Sequence, residues 1–111
     1  MSEFTYLFRG GERASSPEGW QEQMQKWVGW LKGLGAKGHI KDRGNPLEPS
    51  GRVVKEGGKV VIDGPYAETK DVVAGYMLVE ARDLAHAVEL ASGCPIFETG
   101  GLVEVRPVTK M

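Results

Sequence analysis

The chain of 111 residues holds a single cysteine, Cys94, which excludes an internal disulfide and suits a reducing compartment. Histidines are almost as scarce, with His39 and His86 only. Two imidazoles and one thiol do not supply a zinc or iron site, so no metal is expected. Charge of one sign is missing too. Fourteen Lys and Arg stand against 15 Asp and Glu, a net charge of −1, with no basic cluster. Nucleic-acid binding is therefore not expected. The longest apolar run, "VVAGYMLV", is far shorter than the about 20 residues that span a bilayer, so no membrane association is expected. The first residues, "MSEFTYLFRG", lack the basic and apolar regions of a signal peptide. These absences together predict a cytoplasmic protein. No phosphate loop is present either: "RGGE" and "KEGGK" lack the strand–loop–helix setting and the Lys–Ser/Thr pair.

Glycine, by contrast, is abundant at 16 residues, against a usual share of about 7%. It punctuates a chain long enough for one domain with one core, residues 1–111. "EFTYLFRG" reads as a strand, with Phe4, Tyr6 and Phe8 on one face and Thr5, Leu7 and Arg9 on the other. Ser16 then predicts an N-cap, followed by Pro17 at the first helical position and Glu18 in the first turn. Trp20, Met24, Trp27, Leu31 and Leu34 recur at helical spacing, a stripe read as core packing in preference to a binding groove. Gly33, Gly35 and Gly38 are expected to stop this helix.

A short strand near His39 and Ile40 and a turn at Gly44–Pro46 are expected next. "RVVKEGGKVVID" predicts a hairpin around Gly57 and Gly58. "VVAGYMLVEA" is a strand with Val73, Met77 and Val79 inward and Ala74, Tyr76, Leu78 and Glu80 outward. Asp83 caps a second helix, with Leu84, Ala87, Val88 and Ala91 on its apolar face and His86 solvated opposite. Pro95 is expected to prevent any restart, and "IFETGG" to be a loop. "LVEVRPV" is the last strand, with Leu102, Glu104 and Arg106 sharing the outward face.

Without the hairpin this order is β-α-β-β-α-β, an α+β, ferredoxin-like fold with both helices on one sheet face. The other face mixes Leu and Tyr with Arg and Glu. It is too apolar for water and too polar for a dry core, which predicts a homodimer with two sheets facing across a partly polar cavity.

Two segments then carry a resemblance. "DGPYAETKDVVAGYMLVEA" followed by "GCPIFETGGLVEVRP" is similar to YCII-related proteins of the DGPF type, with Asp63-Gly64-Pro65-Tyr66 in place of Asp-Gly-Pro-Phe. The resemblance implies a dimeric α+β barrel. It also implies either cofactor-free chemistry on small molecules or a regulatory role beside an extracytoplasmic-function sigma factor. Relatives in that group resemble lyases and dehalogenases using a His–Asp pair with the His near the first helix. The helix expected here has no histidine, so that pair does not carry over.

Turn chemistry accounts for Asp63, Gly64 and Pro65, with Asp63 accepting backbone N–H bonds and Tyr66 over the cavity mouth. A ligand-positioning rim and simple solvation both suit Glu68 and Lys70. Glu104 and Arg106 can form an ion pair, or Arg106 can fork a substrate carboxylate. For proton transfer the candidates are Tyr76, Asp63 and His39, the last with Asp42 three residues on. Cys94 reads as a buried, inert thiol. Two functions stay open: a cofactor-free enzyme acting on a small anionic or phenolic molecule in a cavity at the dimer interface, and a non-catalytic ligand-sensing or regulatory module.

Overall fold

The computed structural model describes residues 1–66 and 71–111. Glu68 and Lys70 lie outside the described residues. In chain order the elements are β1 (Ser2–Arg9), α1 (Pro17–Ala36), β2 (Ile40–Pro46), β3 (Gly51–Lys55), β4 (Val60–Gly64), β5 (Val73–Ala81), α2 (Leu84–Ala91), a 3-10 turn (Pro95–Thr99) and β6 (Leu102–Pro107). Four strands form one antiparallel sheet in the order β2-β5-β1-β6, while β3 and β4 pair only with each other. The strand that pairs beside β1 is β5, not the sequence neighbour β2, and this split arrangement is the ferredoxin-like one.

Alternation builds the sheet as its sequence implies. Phe4, Tyr6 and Phe8 are buried, while Thr5, Leu7 and Arg9 are only partly covered. Met77, Val79 and Ala81 of β5 join them under the helices. Trp27, Trp30, Leu31 and Leu34 of α1 and Ala87, Leu90 and Ala91 of α2 close this core. Trp30 stacks on Tyr6, with ring centroids 6.2 Å apart, and donates its indole N–H to the Leu90 carbonyl at 3.3 Å. Both helices thus cover one face of the sheet. The N-caps hold as expected: Ser16 Oγ accepts from Gly19 N, and Asp83 Oδ1 from His86 N.

Several expectations are corrected. Gly33 and Gly35 lie inside α1, which continues to Ala36; the chain turns out of it only at Gly38, with φ +77°. Gly44–Pro46 is not a turn but the second half of β2, which keeps its ladder with β5 by bulging on either side of Asp42. Gly44 there has φ +60°, and a Cβ on it would lie 1.8 Å from the Tyr76 carbonyl oxygen. Only glycine fits so close an approach. Pro95 opens a 3-10 turn instead of ending regular structure, because its fixed φ suits a first helical position. On α2, Leu84 and Val88 stand half exposed and His86 is buried, contrary to the helical wheel. His86 Nδ1 accepts the Arg82 backbone N–H, and its ring meets His39 edge to face at 5.1 Å. The corner between β5 and α2 holds it, a tertiary feature without period.

Candidate functional site

The uncovered sheet face carries two rows across the strands. Asn45, Tyr76, Leu7 and Glu104 make one, and Asp42, Leu78, Thr5 and Arg106 the next. Arg9 Nε donates to Glu104 Oε1 at 2.8 Å, and Arg9 Nη1 to the Asp71 carbonyl at 2.7 Å. Glu104 therefore pairs with Arg9, not with Arg106 two positions along its own strand. Arg106 is exposed and makes no ion pair among the described residues.

A cavity of about 620 Å³ opens on the opposite face, between the first half of α1 and the sheet. The stripe on α1 explains it. Trp27, Leu31 and Leu34 reach the core, but Trp20 and Met24 overhang the sheet and stay 42% and 37% exposed. Trp20, Met24, Trp27, Phe8 and Met77 form its apolar walls, so the stripe that was expected to be all core is partly the lining of a groove. Polar groups gather at its margin. Arg13, in the loop between β1 and α1, stands over the Trp20 ring at 6.0 Å and donates from Nη2 to the Leu47 carbonyl at 3.1 Å. Gln23 ties the same loop to the helix, giving a hydrogen bond to the Glu12 carbonyl at 3.1 Å and receiving one from Ala14 N at 3.3 Å. Lys26 bridges to Glu98 of the 3-10 turn at 2.7 Å. That partner raises the Lys26 pKa, by its hydrogen bond first and its charge second. Tyr76 and Asn45 border the cavity on the strand side, and Asn45 Nδ2 donates to the Tyr76 hydroxyl at 3.3 Å.

Three comparisons bear on this geometry. The family model for the YCII-related domain matches residues 6–111. The chain belongs to the YCII-related domain family. Among solved structures, 5-chloro-2-hydroxyhydroquinone dehydrochlorinase (TftG) from Burkholderia phenoliruptrix AC1100, in complex with 2,5-dihydroxybenzoquinone, is similar with a TM-score of 0.53. The match covers 97% of this chain and 95% of that one at 14% sequence identity, a likeness of fold. No curated protein matches the sequence. Neither match connects this YCII-related chain to a sigma factor.

Within this YCII-related fold the sequence candidates scatter. Of Tyr76, Asp63 and His39, only Tyr76 borders the cavity. Asp63 lies within β4, one residue before its end, and pairs across the hairpin with Arg52. Tyr66 is 84% exposed and is not among the residues lining this cavity. His39 is buried, bonded through Nδ1 to the Glu80 carbonyl at 3.0 Å, while Asp42 serves Gly44 N at 2.8 Å. The His39–Asp42 pair is therefore not formed. Glu104 and Arg106 lie on the other side of the sheet from the cavity. Among the described residues no cluster of three metal-ligating side chains occurs, and no helix is long and apolar enough to cross a membrane. Arg13 and Gln23 were missed. Their signal is tertiary: a loop folded back onto the overhanging half of α1.

Proposed function

We propose that this YCII-related protein is a cofactor-free enzyme acting on a small anionic or phenolic molecule, in the cavity beneath α1. The observation that carries the reading is the cavity itself, walled by Trp20, Trp27 and Phe8 and bordered by Arg13, Gln23 and Tyr76. A largely apolar pocket with a few convergent polar groups is the usual form of a small-molecule site. Tyr76 borders the cavity from β5, but its side chain shares the uncovered face with Leu7 and Glu104, so proton transfer within the cavity is not assigned to it. The neighbour's dihydroxybenzoquinone is a planar ring that a space of about 620 Å³ would hold.

The protein works as a homodimer through the uncovered sheet face, where Leu7, Leu78 and Tyr76 lie among charged groups. In that assembly Arg106, Glu104, Glu68 and Lys70 serve the interface or the approach to the site. A cytoplasmic setting agrees with the lone buried thiol of Cys94. A second reading, ligand binding without turnover, is favoured by one observation: among the described residues lining the cavity there is no His or Cys.

Thermal-shift screening with benzoic acids and phenols tests the site. Hits should raise the Tm of the wild type, and filling the space with Val28→Trp should remove the shift. Stabilisation that survives in Val28→Trp would place the ligand elsewhere. Turnover assays on the hits then separate an enzyme from a binding module.

A further inference from the structure

We infer that the cavity selects aromatic molecules bearing a carboxylate, and that Arg13 is the residue that receives the anion. The inference rests on the cavity being the ligand site, and deepens that reading by naming a ligand class and a specificity residue. Three features converge on it.

First, three aromatic side chains, Trp20, Trp27 and Phe8, stand among the apolar walls, where a ring can pack against them. Second, Arg13 is positioned but not saturated. Its guanidinium lies over Trp20 at 6.0 Å and gives one hydrogen bond, to the Leu47 carbonyl at 3.1 Å. A guanidinium carries five N–H donors in a planar fork, and Arg13 has no carboxylate within salt-bridge distance among the described residues. Stacking and the single carbonyl bond hold the group in place, so less conformational freedom is lost when an anion docks.

Third, the charges at the margin are segregated. Glu98 is tied to Lys26 at 2.7 Å, and Glu22 adds its charge to the same lysine. Two of the three lining acids are thereby gathered at Lys26. The remaining lining cations are Arg13 and Arg43, facing only Glu12 in addition. Glu12 is the chain neighbour of Arg13, and its carbonyl is held by Gln23. A ring against Trp20 or Trp27 places its carboxylate where a guanidinium already waits. A neutral ring of the same shape would leave that fork to water.

Isothermal titration with 2-naphthoate and its neutral analogue 2-naphthamide tests this, at low ionic strength to limit screening. The wild type should bind the anion about tenfold or more tightly than the amide, the effect of a charge-assisted hydrogen bond. Arg13→Gln should bring the ratio near one, by weakening naphthoate more than naphthamide, with a retained far-ultraviolet spectrum reporting that the variant is folded. Arg13→Lys should recover only part of the ratio, because a point charge cannot replace the fork. Equal binding of the two probes to the wild type overturns the inference, as does a ratio that persists in Arg13→Gln. In both cases the cavity reading survives if Val28→Trp abolishes binding. Failure of both probes to bind the wild type removes the cavity as an aromatic site, and the inference with it.

Discussion

Tyr6 is fully buried, yet it carries a hydroxyl into the core and gives it to the Ala87 carbonyl at 2.5 Å. Burial, with a smaller contribution from Cys94, pushes its pKa from 10.0 to about 12. Burial also raises Cys94 from 9.0 to about 12, against a smaller lowering by its hydrogen bond with the Ile96 backbone. Both groups fold in their neutral forms. The stability they contribute is fully present below pH 9 and is lost as pH rises, from 9.0 to about 12 for the thiol and from 10.0 to about 12 for the phenol. Urea unfolding across the alkaline range should therefore show a falling free energy above about pH 9. Tyr6→Phe should cost about 0.5–1.5 kcal/mol at neutral pH from the lost hydrogen bond, and should flatten the phenol part of that decline. An unchanged alkaline slope in Tyr6→Phe would show that the phenol is not the group responsible. That Cys94 is buried and inert was legible from its setting before Pro95. That Tyr6 anchors α2 was not, because nothing local to β1 says which carbonyl lies above it.

At the scale of the element, legibility follows whether the pattern is set within the segment or by its neighbours. β1 and β5 alternate cleanly because each has one buried face and one open one. The hairpin was equally plain: Gly57 and Gly58, at φ +69° and +86°, reverse the chain between two β-rich runs. β2 hid itself. It is an edge strand with mostly exposed residues, and its bulge breaks any period of two. Gly44→Ala tests how far that bulge specifies the strand. The added methyl meets the Tyr76 carbonyl, so β2 must shift, at an expected cost of about 1–3 kcal/mol in chemical denaturation. A cost within about 0.5 kcal/mol would mean that the strand re-registers freely. For α1, the 3.6-residue period told which face is apolar but not where the sheet beneath it ends. The candidate site lies in that gap: Trp20 and Met24 follow the same stripe as Trp27 and Leu31, yet project past the core.

The whole molecule is a thin slab, 45 × 43 × 18 Å, with helices on one side only. Its radius of gyration of 15.4 Å exceeds the about 13 Å expected for a compact domain of this length. Both figures reflect an open sheet face and a ribbon of β3 and β4 whose Val54, Val61 and Ile62 are exposed. A lone two-stranded hairpin is only marginally stable in water, so this ribbon gains most if something covers it. For the proposed homodimer, Leu78→Lys places a charge at the middle of the uncovered face and should shift light scattering from dimer mass to single-chain mass, with the far-ultraviolet spectrum retained. A dimer that persists in Leu78→Lys would move the interface to another surface. The composition of that face was readable from strand alternation alone. The roles assigned to its charged residues were less so, because Glu104 chose Arg9 on the neighbouring strand, a choice made by register instead of sequence spacing.

The strand order has a temporal consequence as well. β1, which precedes both of its partners in the chain, is hydrogen-bonded on one side by β5 and on the other by β6. Phe4, Tyr6 and Phe8 thus gain their strand partners only with residues 73–81 on one side and 102–107 on the other. Such distant pairing makes closure of the sheet late and comparatively slow, while Trp27 and Trp30 of the adjoining α1 can cover Tyr6 and Phe8 sooner.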